Sequence, residues 1–529
     1  MSASGPTLPA REQLKELRRD LRARLESEAV AFTADGREFG YEAPISADIQ
    51  VGGWVVLDTS DGGRYLGQVT TEDVTVTEGP QINLDLDQAQ IASPDVGRLT
   101  RAGFRIRIRH TAGTGVILAK EIPSSDLVPP KENDTFDDAA ISAADGALVS
   151  RYLATMGGLR ASLLMGTVQR CAGEPSAYLR ADGFDRHTFL CGQSGSGKTY
   201  ALGLLLEQLI LNTTLDIVIL DPNSDFVRLG QVRSGVSSKD ARAYKSRTEG
   251  LQVMRPSQMA KGARNTLRIW FSDLAEPEQA SALRLDPLAD REEYSELSAI
   301  AETFSDQRYS LVDVLKAARS LSSPAARDLA LRIENLHVAG WEVWARGKQP
   351  SSADMLKEST RALVLDIGTL PSSPEKAAIA ASVLGGLWRA RERRRPMLIV
   401  IDEAHNVCPD APANPLQENA TDYCIKIAAE GRKFGLYMLI STQRPQKVHR
   451  NVLSQCDNVM LMRMNSRADL AELSDAFSFI APSLIEESMR FRQGETLLAG
   501  KISPTPLIAR LTGRVSEEGG ADVPATWAG

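Results

Sequence analysis

The sequence predicts an α/β protein whose core is a mainly parallel sheet, with a small β-barrel before it and a helical insertion within it. Three observations lead to this fold class. In the second half of the chain, apolar strands alternate with helical stretches, which is the pattern of a parallel sheet. Several short strands with glycine turns precede that region, as in small barrels. A long segment between two core strands has helical periodicity.

Length and composition agree with a multi-domain globular protein. The chain has 529 residues, of which 43% are hydrophobic and 24% are charged. A chain of this length is expected to hold about three domains. The net charge of −7 lacks the basic excess of many nucleic-acid-binding proteins, although a ring can line its channel with lysine and arginine while its outside stays acidic.

Cysteine usage and hydropathy point to the cytoplasm. The five cysteines are scattered and form no C-x-x-C pair, which is typical of reduced thiols. The sequence shows no signal peptide and no apolar run of about 18 residues. We therefore predict a cytoplasmic protein that does not associate with a membrane.

The first 165 residues divide into three predicted regions. Residues 1–44 comprise a tail and an amphipathic helix at about 10–30, whose leucine stripe either packs on its own domain or docks a partner. Residues 45–125 carry strand and turn patterns and predict the barrel. Residues 126–165, which begin in a stretch rich in proline, serine and aspartate, are interpreted as a linker.

One barrel strand has a basic face. Residues 104–109 alternate apolar residues with arginines, so Arg105, Arg107 and Arg109 share one side of the strand. That face is either solvated or in contact with phosphate groups.

The predicted core comprises residues 166–226 and 359–512. Its central strands are expected at 188–191, 216–220, 362–366, 396–401, 436–440 and 458–464. Residues 227–358, between the second and third of these strands, are predicted to be a helical insertion, and residues 513–529 a C-terminal tail.

An eight-residue stretch in the core, Gly192–Thr199, fits the phosphate-binding pattern G-x-x-x-x-G-K-[ST]. An apolar strand precedes it and an apolar helix follows it, so that backbone N–H groups and a helix N-terminus point at a triphosphate. Lys198 should reach the β- and γ-phosphates, and the Thr199 hydroxyl should ligate Mg²⁺. ATP and Mg²⁺ are the predicted cofactors. The predicted nucleotide-binding residues are Gly192, Gln193, Ser194, Gly195, Ser196, Gly197, Lys198, Thr199 and Tyr200.

An acidic pair, Asp402 and Glu403, ends the apolar strand at 396–401. Both carboxylates should lie at the carboxyl edge of the parallel sheet, where the P-loop also lies. Asp402 is predicted to hold the hydration shell of Mg²⁺, and Glu403 to orient and polarise the attacking water. The sequence therefore predicts hydrolysis as well as binding.

Two polar residues flank the strand at 436–440. Gln443 follows it and is predicted to hydrogen-bond the γ-phosphate or the water; alternatively, it is an amide that caps a loop. Arg432 precedes it. Across a subunit boundary, its guanidinium would neutralise transition-state charge, an effect of about 10³–10⁵ in rate. Alternatively, Arg432 is an exposed arginine that interacts with a helix dipole.

In this order, the motifs resemble the HerA branch of the HerA/FtsK ATPases. The resemblance covers about 45–511 and rests on Gly192–Thr199, Asp221–Phe226, Ile401–Asn406, Glu430–Gly435, Ser441–Pro445 and Leu453–Cys456. It implies a RecA-like P-loop ATPase core in a ring-shaped, usually hexameric, DNA-translocating motor. It also implies the roles given above, with Gln443 as sensor, Arg432 as the finger acting in trans, and Arg186 acting on the nucleotide in cis.

One family motif is altered. The family's Asp-Pro-x-Gly-Glu-Tyr appears at 221–226 as Asp-Pro-Asn-Ser-Asp-Phe, so its acid persists as Asp225 but is one methylene shorter. DNA contacts in such motors need only lysine and arginine in loops that face the channel. The candidates are Arg242, Lys245 and Arg247 in the insertion, and residues 408–422 after the acidic pair, which contain no lysine or arginine and would use backbone and amide groups.

The predicted function is an ATP-hydrolysing, hexameric double-stranded DNA translocase or helicase-like motor. It would act with a nuclease or another effector, in DNA-end processing during DNA repair or in antiviral defence against phages. Two other classes stay open. One is a nucleotide-gated ring scaffold that assembles and activates an effector without translocation. The other is a protein-pumping or conjugation ATPase of the same superfamily.

Overall fold

The computed structural model describes residues 29–82, 104–124, 126–157, 162–304, 307–358 and 360–519. They fall into two compact units. The first unit extends to Thr155 and includes Gln169–Pro175, and the second comprises Met156–Val168 and the residues from Ser176 onward. The amphipathic helix predicted at about 10–30 lies almost entirely outside the described residues.

The first unit is a closed β-barrel, as the sequence predicts. Six strands form a ring in which every pair is antiparallel, in the order β2-β1-β7-β3-β4-β5, and β5 pairs back with β2. A seventh, short strand, β6, extends the sheet from β5. The strands are β1 (Val30–Thr33), β2 (Glu38–Pro44), β3 (Trp54–Thr59), β4 (Arg64–Ile82), β5 (Phe104–Glu121), β6 (Leu127–Val128) and β7 (Phe136–Ala143), followed by helix α1 (Gly146–Gly157).

Phe39 shows why glycines recur in these strands. Its ring is buried in the barrel core, against Gly67 of β4 and Gly115 of β5. A Cβ added to Gly115 would lie 2.2 Å from the Phe39 ring, and one added to Gly67 would lie 2.7 Å from it. Glycine is therefore required where the strands approach this aromatic side chain.

The barrel extends beyond the predicted range at both ends, which corrects the assignment of a linker at 126–165. Strands β1 and β2 precede residue 45, and β7 lies between β1 and β3. In β7, Ala139 and Ile141 are buried while Ala140 and Ser142 are exposed. This alternation marks a half-buried strand, but the polar composition around it hid the pattern.

The second unit is built on one sheet of eleven strands. The strand order is β12-β13-β11-β14-β15-β10-β16-β17-β18-β8-β9. The seven strands from β12 to β16 in this order are parallel, and the remaining pairs are antiparallel, which confirms the mainly parallel core. The strands are β8 (Ser162–Val168), β9 (Ser176–Arg180), β10 (His187–Cys191), β11 (Asp216–Asp221), β12 (Gln252–Met254), β13 (Ala362–Asp366), β14 (Met397–Ile401), β15 (Leu436–Thr442), β16 (Cys456–Leu461), β17 (Glu495–Gly500) and β18 (Leu507–Leu511).

Twelve α-helices, α2 to α13, belong to the described part of the second unit. Six of them, α3 to α8, lie between β11 and β13 and form the predicted insertion, which also contributes the short strand β12 to the sheet. The helices are α2 (Lys198–Asn212), α3 (Ser238–Thr248), α4 (Glu276–Ala282), α5 (Arg291–Thr303), α6 (Leu311–Ser320), α7 (Pro324–Asn335), α8 (Ser352–Lys357), α9 (Ser373–Arg389), α10 (Pro415–Glu430), α11 (Arg450–Leu453), α12 (Arg467–Ala476) and α13 (Pro482–Glu486). Within the described ranges, no helix combines the length and the apolar character needed to cross a membrane.

The start of the predicted tail is part of the second unit. At residues 515 and 516, the backbone N–H groups donate to the carboxylate of Glu207 on α2, at 2.8 and 2.7 Å. Residues 513–519 are therefore held against a core helix, and only 520–529 of the predicted tail lie outside the described residues.

Strand order decides which motifs can meet. Because parallel strands share their carboxyl edge, the loops after β10, β11, β14 and β15 converge on one side of the sheet. Strand β15 lies between β10, which carries the P-loop, and β14, which carries the acidic pair.

Candidate nucleotide-binding site

The P-loop connects β10 to α2 through glycines that the backbone requires. Gly195 and Gly197 have φ angles of 74° and 96°, in the left-handed region that glycine adopts without steric cost. A Cβ on Gly192 would lie 2.7 Å from Ser196 Oγ and 2.8 Å from Met462 Cβ. The loop therefore forms a glycine cradle at the N-terminus of α2, which fits the phosphate groups of a nucleotide.

Lys198 lies between the two carboxylates of the acidic pair. Its Nζ donates to Asp402 Oδ1 at 2.8 Å and to Ser441 Oγ at 3.1 Å, and lies 3.0 Å from Glu403 Oε1. Burial alone would lower the pKa of Lys198, but the attraction of Asp402 and Glu403 outweighs it and raises that pKa. The ammonium group is therefore charged at neutral pH, with its Nζ fixed at the P-loop edge.

The oxygens around Thr199 suit a hard cation. The fully buried Asp402 has one oxygen, Oδ2, without a hydrogen-bond partner in the described part of the chain. Thr199 Oγ1 donates to Asp225 Oδ2 at 3.3 Å. Carboxylate and hydroxyl oxygens are the ligands that Mg²⁺ prefers, and Mg²⁺ usually takes one or two carboxylates together with phosphate oxygens. Among the described residues, no group of three or more His, Cys, Asp or Glu could hold a metal ion alone.

Asp225, although one methylene shorter than the family's glutamate, still reaches the site through Thr199. Burial, followed by the charge of the nearby Asp402, raises the pKa of Asp225 to about 6. The neighbouring Asp221 fixes the loop, because its carboxylate accepts hydrogen bonds from the N–H groups of Asp225 and Phe226 at 3.0 and 2.8 Å.

Glu403 is held in a conformation that is uncommon for its residue type. Its φ and ψ are 43° and 52°, in the left-handed region, which costs about 1 kcal/mol or more for a residue other than glycine. Gln443 Nε2 donates to Glu403 Oε1 at 2.9 Å, and His405 Nδ1 lies 3.4 Å from Glu403 Oε2. Burial lowers the pKa of His405, so this imidazole is neutral at neutral pH.

Sequence reasoning gave no role to Ser441 or His405, although both lie in motifs it quoted. Ser441 bridges the acid and the lysine: its hydroxyl donates to Asp402 Oδ1 at 2.7 Å and accepts from Lys198 Nζ. His405 Nδ1 lies 3.1 Å from Thr442 Oγ1. Their positions could have indicated a role in the site. Ser441 belongs to the strand next to the one that ends in the acidic pair, and His405 follows that pair by two residues.

A cavity of about 600 Å³ opens beside the P-loop. The half-buried Gln443 is one of its lining residues, so this side chain lies beside the P-loop. The cavity is lined by Gln193, Ser194, Gly195, Gly197, Lys198, Thr199, Tyr200, Gln443, Gln493, Gly494, Arg510, Leu511, Thr512, Gly513 and Glu518.

Arg186 and Arg432 lie at the opposite edge of the sheet, at the amino ends of their strands. Arg432 Nη1 pairs with Asp457 Oδ2 at 2.7 Å, and Arg186 Nε lies 3.5 Å from the same oxygen. The five residues of β10 separate this edge from the P-loop, a span of about 16 Å. The structure therefore does not support a cis role for Arg186. Arg186 directly precedes β10 in the sequence, but the length of β10 separates it from the P-loop in space.

The candidate DNA-binding residues of the insertion, Arg242, Lys245 and Arg247, are exposed on α3. Arg242 Nε also donates to the backbone oxygen of Ser238 at 3.1 Å, within the same helix.

Comparisons with known proteins found one matching family model and several curated relatives. Residues 165–405 match the family described as "Helicase HerA, central domain". The curated "DNA double-strand break repair helicase HerA" of Sulfurisphaera tokodaii is 31% identical over 116 residues, which cover 22% of this chain and 23% of that protein. "Probable helicase MJ1565" of Methanocaldococcus jannaschii is 26% identical over 135 residues, 26% of each chain. The matched segment thus spans about a quarter of the length of these relatives.

Two solved structures are similar to a larger part of the chain. VirB4 of Thermoanaerobacter pseudethanolicus gives a TM-score of 0.46 at 14% identity, covering 68% of this chain and 98% of that one. The bacterial conjugative coupling protein TrwBdeltaN70 gives a TM-score of 0.45 at 13% identity, covering 70% of this chain and 91% of that one.

Proposed function

We propose that the protein is an ATP-hydrolysing motor that translocates double-stranded DNA, because residues 165–405 match the HerA central-domain family. One observation carries the proposal: the P-loop lysine and the acidic pair form a single buried hydrogen-bonded group at one edge of the sheet. A site that only binds a nucleotide does not need a second buried carboxylate. Here the second carboxylate is that of Glu403, which is buried and has its backbone in the left-handed conformation.

The P-loop is proposed to bind the triphosphate, with Lys198 on its β- and γ-phosphates. The Thr199 hydroxyl and the unpaired oxygen of Asp402 would hold Mg²⁺, which when bound neutralises phosphate charge. Asp225 accepts from Thr199 and orients its hydroxyl. In the structure Lys198 pairs with Asp402 and Glu403, so on binding it would exchange part of these contacts for phosphate oxygens.

Glu403 is proposed to orient and polarise the attacking water. Gln443 donates to one of its oxygens, and the neutral His405 lies beside the other. We propose that Gln443, through its hydrogen bond to Glu403, reports the state of the γ-phosphate to β15 and the loop that follows it. Phosphoryl transfer depends mainly on such positioning and electrostatics.

We further propose that the site is completed by a second copy of the chain in a homohexameric ring. Arg432 and Arg186 share Asp457 at the sheet edge away from their own P-loop, so either can reach only a nucleotide held by a neighbour. A head-to-tail contact forms a ring when the rotation between neighbours closes, and a hexamer requires a rotation of about 60° per subunit. An arginine supplied in trans stabilises charge in the transition state.

DNA as the track is supported by the names of the HerA relatives, and a nuclease or another effector is the proposed partner. The pathway is either DNA-end processing in repair or defence against phages. The five free cysteines, four of them buried, fit a cytoplasmic protein.

The proposal is tested by measuring ATP turnover with and without duplex DNA, in the wild type and in Glu403→Gln. We expect duplex DNA to stimulate the wild type, and Glu403→Gln to lose at least about 100-fold in kcat while it still binds ATP. A wild-type rate that duplex DNA leaves unchanged would refute the motor. If Lys198→Ala rings then still activate a co-purified effector, the nucleotide-gated scaffold is the better description.

A further inference from the structure

Residues 512–519, here called the strap, follow β18 and lie along the P-loop helix α2. Tyr200, two residues after the P-loop lysine, holds the start of the strap at two points. Its hydroxyl donates to the backbone oxygen of Thr512 at 3.1 Å and accepts from the N–H of Arg514 at 2.8 Å. The strap is thus connected directly to the first turn of the P-loop helix.

A buried arginine anchors the middle of the strap. The side chain of Arg514 is 1% exposed, and its guanidinium donates to Ser516 Oγ through Nε at 3.2 Å and Nη2 at 2.9 Å. It packs where α2 has a glycine: a Cβ on Gly203 would lie 2.2 Å from Arg514 Cζ. Exposing or unpairing this buried guanidinium would cost free energy. Arg514 therefore holds the strap in a fixed position against α2.

The end of the strap is joined to the loop that carries Asp225. The N–H of Gly519 donates to the backbone oxygen of Asp225 at 2.9 Å, and the N–H of Glu517 donates to that of Gln231 at 2.9 Å. The strap therefore spans from the P-loop helix to the residue that accepts from Thr199.

The same segment forms one wall of the cavity beside the P-loop. Gln443, one of the lining residues, follows β15, which pairs with β10 on one side. Gln493 precedes β17 and Arg510 belongs to β18, and both strands lie on the other side of β10. Glu518 of the strap lines the same cavity. With the phosphates on the P-loop and the γ-phosphate toward Glu403 and Gln443, the remaining space toward β18 is left for the nucleoside.

We propose that the strap is the nucleoside-binding wall of this site and that Glu518 accepts a hydrogen bond from an N–H or O–H group of the nucleoside. Glu518 lines the cavity, is 45% exposed on its own chain, and has Oε1 3.3 Å from Arg514 Nη1, which orients it. A carboxylate only accepts hydrogen bonds, so its partner is either the exocyclic amine of the base or a ribose hydroxyl. The inference rests on the proposed function only in that a nucleoside triphosphate occupies the P-loop.

The test compares binding of ATP and of inorganic tripolyphosphate, each with Mg²⁺, by displacement of a fluorescent ATP analogue from the full chain. Glu518→Ala is expected to weaken ATP about tenfold, the lower end for a hydrogen bond to a charged group, because the carboxylate is partly solvated. Tripolyphosphate has no nucleoside, so its affinity should change less than about twofold. The matched control is Glu517→Ala, which removes a carboxylate that pairs with Arg228 outside the cavity lining and should alter neither affinity.

Three ATP analogues identify the donor. Purine riboside triphosphate lacks the exocyclic amine, and 2′-deoxy-ATP and 3′-deoxy-ATP each lack one hydroxyl. The analogue that lacks the true donor should bind the wild type more weakly than ATP and should lose no further affinity in Glu518→Ala. If each of the three loses as much affinity in this variant as ATP does, the hydrogen bond to the nucleoside is refuted.

Two other results would overturn the inference: unchanged ATP affinity in Glu518→Ala, or an equal loss for ATP and tripolyphosphate, which would mean that the strap only supports the P-loop. Neither result bears on the motor. Conversely, a wild type that binds ATP but is not stimulated by duplex DNA overturns the proposed motor and leaves this inference standing.

Discussion

Ser441 connects the P-loop lysine to the acidic pair through its hydroxyl group. Its hydroxyl accepts from Lys198 Nζ and donates to Asp402 Oδ1, so lysine, serine and aspartate form one chain of hydrogen bonds. All three side chains are buried, and a buried charge is tolerated only when it is paired and hydrogen-bonded. The P-loop lysine and the acidic pair are therefore a single unit, and a change in any member should affect the others.

His187, at the start of β10, should make stability depend on pH. Its Nδ1 accepts from the N–H of Met438 at 2.9 Å, and burial, with the charge of Arg432, lowers the pKa of His187 to about 4. Between pH 6.5 and 4 the unfolded chain binds a proton at this residue that the folded chain does not bind, so stability is lost as the pH falls through this window. From pH 7.5 to pH 5 the loss should be about 2 kcal/mol, measured by chemical denaturation.

His187→Gln is the variant that isolates this residue. It retains a side-chain acceptor for Met438 but does not titrate, so its loss of stability over the same pH range should be smaller by about 2 kcal/mol. The comparison is of pH dependence, and a general destabilisation of the variant does not affect it. Equal pH dependence in the two proteins would contradict the assignment.

At the scale of the element, the P-loop turn depends on Gly197, which caps α2 with a φ of 96°. Gly197→Ala is expected to destabilise the fold by about 1 kcal/mol and to weaken ATP binding strongly, because the turn that presents its N–H groups must distort. Gly250, with a φ of 91° and open space around it, is the matched position in the insertion. Gly250→Ala should cost a similar amount of stability in thermal denaturation and leave ATP binding unchanged. Similar binding losses in both variants would rule out a specific role for the turn.

Elements differed in how well the sequence predicted them. The core strands β10, β11, β13 and β14 are buried along their whole length, and such apolar runs are easy to recognise. Strand β12 is only three residues long and pairs with β13 alone, so it has too little pattern to predict. Strand β12 forms because the insertion passes along the edge of the sheet beside β13. That path depends on the fold as a whole, and three residues cannot indicate it.

At the scale of the whole molecule, a shared site between neighbours can be tested by mixing variants. Lys198→Ala destroys the P-loop half of a site and Arg432→Ala its arginine half, and each variant alone should be inactive. If neighbours share sites, an equal mixture forms some sites with an intact P-loop and an intact arginine, about a quarter of the total for random head-to-tail assembly. DNA-stimulated ATP turnover of the mixture, refolded or co-expressed, measures this recovery.

A control mixture tests the interpretation. Lys198→Ala mixed with Glu403→Gln places both defects in the same half of the site, so every site contains one of them and no recovery is expected. Recovery in this control, or its absence in the first mixture, would contradict a site completed by the neighbour's Arg432.

The sequence by itself determined which residues lie together at the carboxyl edge of the sheet. Gly192–Thr199 and Asp402–Glu403 lie in local patterns, a strand followed by a turn or by acids, and such patterns place side chains without knowledge of the fold. Only the tertiary structure decided what depends on strand order and on long-range contact. It placed Arg186 at the sheet edge away from its own P-loop, made residues 136–143 a barrel strand, and held the 512–519 strap against the P-loop helix. The physical reason is that these relations join residues far apart in the chain, and no local periodicity records them.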